Sequence, residues 1–188
     1  MTLTDTSSRP DVRADPTSFD PAERAERLTA AGTAWAERIA ADANSARLTY
    51  KVSGTSAGSV ATRIKAGKHR FLVDEPAALA GDDEAASPVE YALGALISCQ
   101  VVVYRLYAQA LGIALDSIDI QAEGDLDVHK IFGIDESVRA GFSDIRLTIT
   151  LDGPESRERY DELRDAVDAH CPVLDLFSNP TPVSVRLA

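Results

Sequence analysis

One long apolar segment constrains the fold of this chain more than any other feature. From Tyr91 to Tyr104 there are 14 residues without a charged side chain, and Arg105 is the first charge that follows. The segment is shorter than the roughly 18 to 20 residues that cross a bilayer as a helix. Because it is apolar on nearly every face, we expect a helix that is surrounded by protein.

Local signals predict both ends of this helix. Ser87 precedes Pro88, and Glu90 stands three positions after Ser87, which completes a capping-box pattern. Gly112 can adopt the left-handed conformation that ends a helix. The sequence therefore predicts a helix over 88–111 that carries Cys99 about three turns from its beginning.

Hydrophobic periodicity divides the rest of the chain into short elements. Residues 1–18 are polar and predict a mobile tail, and an amphipathic helix is predicted from Asp20 onward. A further helix is predicted between Gly153 and Cys171. Alternating apolar residues predict strands around 48–52, 60–64, 118–122, 145–151 and 183–187, and a further strand is predicted over 69–73, after Gly67. The resulting order predicts an α+β fold, with a tail and helix over 1–45 and the main domain over 46–188.

Charge excludes one class of partner. The chain has 188 residues and a formal net charge of -11. Nucleic-acid affinity depends on clustered Lys and Arg, so nucleic acid is not expected as a partner. No basic segment followed by an apolar run opens the sequence, and we expect a cytoplasmic protein without a membrane partner.

The two cysteines carry the candidate chemistry. A free thiol with a pKa near 8.5 is only about 3% ionised at pH 7, and its thiolate is the nucleophile. Lowering that pKa to neutrality takes about 2 kcal/mol, which a guanidinium about 4 Å away supplies and a helix dipole alone does not. Local sequence favours Cys171, which precedes Pro172, as the more reactive thiol, and it leaves open that both cysteines are buried hydrophobes. No metal is expected, because Cys99, His129, His170 and Cys171 lack the spacing of zinc ligands.

Two motifs together resemble a known family. The run SPVEYALGALISC (87–99) follows an acidic loop, and the element HCPV (170–173) comes late in the chain. Over 46–188 this combination resembles the OsmC/Ohr family of thiol peroxidases. The resemblance implies antiparallel sheets wrapped around central helices in an intertwined homodimer, to which this chain adds an N-terminal helix.

The resemblance also implies a reaction. Cys99 would attack an organic or hydrogen peroxide and become a sulfenic acid, and Cys171 would resolve it as an intrachain disulfide. An external thiol would reduce that disulfide, and no bound cofactor is implied. This assignment reverses the order of reactivity that local sequence favours.

Two positions differ from active members of that family. A glutamate follows the proline there, whereas Val89 stands here and Glu90 is the nearest carboxylate. The catalytic arginine often lies in the first hairpin turn, which contains none here, so Arg70 is the preferred substitute, with Arg63 and Arg105 as alternatives. A noncatalytic protein that responds to redox state or binds a small ligand is the alternative function.

Overall fold

The protein is described by a computed structural model covering residues 19–187, so the expected tail over 1–18 lies outside the described residues. Its α+β fold confirms the predicted class. The elements are α1 (Pro21–Ala41), β1 (Val52–Ala57), β2 (Ala61–Ala66), β3 (His69–Val73), α2 (Pro88–Leu111), β4 (Ser117–Asp125), β5 (Asp144–Asp152), α3 (Arg157–His170) and α4 (Pro172–Ser178). Short 3₁₀ turns over Ala43–Ala46 and Ala77–Leu79 complete the order.

The apolar helix begins and ends where the sequence predicts. Ser87 caps α2, Glu90 completes the capping box, and Gly112 has a φ of 62° at the C-terminal end. By length and composition alone α2 could cross a membrane, which is weak evidence, since the core helix of a soluble protein passes the same test. In the structure α2 packs against α3, β4, α4 and α1.

The core lies between α2, α3 and the hairpin of β4 and β5. These two strands pair antiparallel over nine residues each, and their apolar residues alternate toward the helices. Leu163 and Val167, one turn apart on α3, are fully buried against α2. Because α3 ends at His170, this packing brings Cys171 into the core.

The first three strands form a separate antiparallel meander in the order β1-β2-β3. It is tied to α2 by the Tyr91 hydroxyl, which donates to the Leu72 carbonyl at 2.8 Å, and by the stacking of Tyr91 on Phe71. The sequence placed the first strand near 48–52, which is wrong: β1 begins at Val52 and continues through Gly54 to Ala57. Gly54 lies opposite Ile64 in the ladder, so the turn follows at Gly58.

The predicted last strand over 183–187 is absent from the described residues. The segment has the alternation of a strand, but Val183, Val185 and Leu187 are almost fully exposed and no neighbouring strand pairs with them. A strand needs a partner edge for its backbone hydrogen bonds. The pattern alone therefore does not produce a strand within this chain.

The N-terminal amphipathic helix is present. Asp20 caps α1 by accepting from the backbone of Ala22, and Pro21 occupies the first turn. Only its first half lies against α2, where Gln109 donates to the Thr29 hydroxyl at 3.2 Å. The division of the chain at residue 45 stays a prediction.

Candidate functional site

The structure places the two cysteines in one hydrophobic cluster. Cys99 lies in the middle of α2, and Cys171 is the single residue between α3 and α4. Cys99 packs against the buried residues that include Cys171, the Cys171 thiol is close enough to act on the pKa of Cys99, and both are free thiols. Cys171 is only 2% exposed, whereas Cys99 is half-buried at the edge of the same core.

The surroundings of Cys99 favour its protonated form. Burial raises the pKa of the Cys99 thiol above its usual value, and the neighbouring Cys171 thiol raises it further. The backbone N–H of Val173, in the first turn of α4, opposes this shift by donating to the Cys99 sulfur. Within this chain the helix terminus therefore lowers the pKa by less than burial raises it.

Glu90 is occupied at the beginning of α2. Its Oε2 accepts hydrogen bonds from the backbone N–H and the hydroxyl of Ser87, both at 2.7 Å. The Ser87 hydroxyl and then its backbone hold the pKa of the Glu90 carboxyl below its usual value. The predicted capping box is confirmed by this geometry, and the catalytic role of Glu90 stays a prediction.

The structure separates the three candidate arginines. Arg70 lies on β3 opposite Lys65, and Arg63 lies on β2 opposite Leu72, diagonal to Arg70; both are exposed, and neither guanidinium has a hydrogen bond or ion pair with the described residues. The Arg105 guanidinium is instead bound at the beginning of β4, to the carbonyls of Leu115 at 2.5 Å and Asp116 at 3.1 Å. Burial lowers the pKa of Arg105.

Next to Cys99, two buried polar side chains of α2 lie beside an exposed aspartate of α3, a cluster that the local sequence pattern does not predict. Gln100 and Tyr104 are both fully buried on α2, and within the described chain the Tyr104 hydroxyl has no hydrogen-bond partner. Asp168 of α3 lies beside both side chains, and burial raises the pKa of its carboxyl. Burial also raises the pKa of Tyr104 to about 12. The sequence feature that could have indicated this cluster is Gln100, a polar residue next to Cys99 within an apolar helix.

His170 contributes an aromatic contact. Its ring stacks on Tyr107 with the centroids 4.6 Å apart, and its Nδ1 lies 2.7 Å from the Ala166 carbonyl. His129 is held by Asp127 in the connection between β4 and β5. His170 therefore contacts α2 and its own helix, whereas His129 contacts its own loop.

Solved structures share this fold. An OsmC-like protein from Mycoplasma pneumoniae superposes with a TM-score of 0.61 at 18% identity, covering 69% of this chain and 87% of that one. An organic hydroperoxide resistance protein OsmC from Legionella pneumophila gives a TM-score of 0.56 at 16% identity, covering 71% and 91%. An organic hydroperoxide resistance protein from Elizabethkingia anophelis gives 0.55 at 18% identity, covering 70% and 89%.

Sequence comparison leads to the same family. No curated protein sequence matches the chain. The family model for OsmC-like proteins matches residues 81–186, which is more than half of the chain and includes α2, both cysteines and α4. The chain belongs to the OsmC-like family.

Proposed function

We propose that this protein reduces organic hydroperoxides with its two cysteines. The observation that carries the proposal is the packing of Cys99 against the buried cluster that contains Cys171, with the Cys171 thiol close enough to act on the pKa of Cys99. Two solved structures of the same fold are named organic hydroperoxide resistance proteins, which supports this substrate class over hydrogen peroxide.

The reaction takes two steps on the protein. The Cys99 thiolate attacks one oxygen of the hydroperoxide; the S–O bond forms, the O–O bond breaks, and the alkoxide takes a proton and leaves as the alcohol. Cys171 then attacks the Cys99 sulfenic acid, the S–S bond forms, and water leaves. An external dithiol reduces this disulfide and is itself oxidised to a disulfide.

The proposal includes a homodimer, because the chain leaves apolar side chains and sheet edges open. Both sheets have open edges within the described chain. Side chains exposed on the meander and the C-terminal segment include Val52, Phe71, Val183 and Val185. A second copy would cover them, and light scattering at micromolar concentration tests this: a monomer would contradict the dimer.

The dimer also offers a source for the missing positive charge. Burial raises the pKa of Cys99 and a nearby guanidinium would lower it, so an arginine of the second copy is required for activity at neutral pH. Arg70, with its free guanidinium on the meander, is the preferred candidate and Arg63 is the next. Glu90 would then hold that arginine through its Oε1, because both of its bonds from Ser87 go to Oε2.

Thiol counting tests the activity. Reduced protein is mixed with one equivalent of cumene hydroperoxide, and free thiols and alcohol are measured with time. We expect both thiols to disappear together with one equivalent of alcohol, and Cys99→Ser to abolish alcohol formation. Unchanged thiols in the folded protein would contradict the peroxidase.

A noncatalytic protein of the same fold is the second candidate. The raised pKa of Cys99 favours it, as does the engagement of Glu90 in the helix cap. In that case the cysteines would serve as small hydrophobes in the core. Cytoplasmic location stays part of either proposal.

A further inference from the structure

The structure contains a groove that the thiol chemistry does not use. It measures about 730 Å³, within the size range of small-molecule sites, and lies between the first half of α1, the second half of α2 and the beginning of β4. We call it the α1–α2 groove; its lining residues include Phe19, Arg24, Arg27, Leu28, Val102, Arg105 and Leu106. α1 precedes the residues that match the family model, so one wall of the groove lies outside the family match.

The floor of the groove is apolar and uncovered. Val102 is 56% exposed and Leu106 is 39% exposed, although both belong to the helix that forms the core. Leu28 of α1 faces the same space. Covering apolar surface of this kind contributes about 25 cal/mol per Å². An alkyl chain is therefore a suitable occupant of the floor.

The rim of the groove is cationic in a strongly acidic protein. Arg105 is fixed there by the carbonyls of Leu115 and Asp116, and Arg24 lies close enough to act on its charge. Within the described residues the Arg24 guanidinium has no hydrogen bond or ion pair, whereas Arg27 is paired with Glu23. Two guanidiniums that approach each other favour an anion between them.

We propose that the α1–α2 groove binds a free alkyl carboxylate, with the chain along Val102 and Leu106 and the carboxylate between Arg24 and Arg105. Asp116 and Asp119 also line the groove and partly neutralise the rim, so a ligand with one negative charge fits better than a polyanion. The proposal is independent of the peroxidase, because its residues differ from the two cysteines and its test needs no peroxide.

Calorimetric titration of the full chain with dodecanoate, below the concentration at which it forms micelles, tests the site. We expect one saturable site per chain and at least tenfold weaker binding in Arg24→Gln, since a charge-assisted bond is lost. Arg38→Gln is the matched control: Arg38 also lies on α1, but its guanidinium stacks on Trp35 outside the groove lining. 1-Dodecanol and dodecyltrimethylammonium, which keep the chain and lack the anion, are expected to bind at least tenfold more weakly than dodecanoate.

Three results would overturn the proposal. They are an absence of saturable binding, equal binding of dodecanoate and 1-dodecanol, and equal losses in Arg24→Gln and Arg38→Gln. Val102→Gln tests the other occupant of the groove, a second copy of the chain. If this variant turns a dimer into a folded monomer, as judged by light scattering and circular dichroism, and neither form binds dodecanoate, the groove is an interface between copies.

Discussion

The thiol of Cys171 lies close enough to Cys99 to raise its pKa, although Cys99 belongs to α2 and Cys171 follows α3, with the complete β-hairpin of β4 and β5 between them in the chain. The contact exists because α3 packs along α2 and ends at His170, so that the next residue enters the core beside Cys99. Because the two thiols are neighbours, an experiment can show which one reacts with peroxide and which one then forms the disulfide.

Cys171→Ser is expected to stop the reaction at the sulfenic acid. Without the second sulfur, Cys99 oxidised by one equivalent of cumene hydroperoxide stays available to dimedone, which mass spectrometry detects as an adduct on Cys99. The wild-type protein should give the intrachain disulfide and little adduct. A disulfide between two chains of the wild-type protein would assign the resolving role elsewhere.

Arg70→Gln is expected to move the pH profile of Cys99 upward. Burial raises the pKa of this thiol within one chain, so a profile midpoint below the usual cysteine value requires a cation from the second copy. The measurement is the rate of iodoacetamide alkylation against pH in Cys171→Ser, with and without Arg70→Gln. We expect a tenfold or greater loss of rate at pH 7.

Lys65→Gln is the control for this measurement. Lys65 lies opposite Arg70 in the ladder, so this substitution removes the same charge from the same sheet. Equal effects of the two variants would reduce the role of Arg70 to general surface charge. If the alkylation rate of the protein that retains both Arg70 and Lys65 has its pH midpoint above the usual cysteine pKa, the noncatalytic candidate would be favoured.

Tyr104→Phe is expected to raise the free energy of unfolding by about 1 kcal/mol. The hydroxyl that it removes is buried without a partner within the described chain, so no hydrogen bond is lost and the cost of burying the hydroxyl is removed. Tyr104→Ala removes the buried ring as well and should cost about 3 to 5 kcal/mol. Urea unfolding of the two variants measures the difference, and a large loss in Tyr104→Phe would reveal a partner for the hydroxyl.

Asp168→Asn is expected to stabilise the protein at neutral pH. The folded pKa of Asp168 is raised by burial, so ionising this carboxyl favours the unfolded state, and stability falls as pH rises from the unfolded pKa through the folded one. The gain should therefore be present at pH 7 and absent well below the usual aspartate pKa. Urea unfolding at both pH values measures it, with Asp165→Asn, whose carboxylate pairs with Arg164, as the control.

Local residue chemistry determined the framework of this protein. The bounds of α2 follow from Ser87, Pro88 and Gly112, whose preferences act over one helical turn and need no distant partner. The turn at Gly67 likewise predicted β3 with the bounds that the structure has. The motifs around Cys99 and Cys171 indicated the family.

Tertiary structure alone decided the rest. The meeting of the two sulfurs depends on how α3 packs against α2, which no local pattern encodes. The segment over 183–187 has a strand pattern but forms no strand, because a strand also needs a partner edge that completes its hydrogen bonds. Sequence preferences act over a few residues, whereas the reactivity of Cys99 is determined by groups brought together from remote parts of the chain.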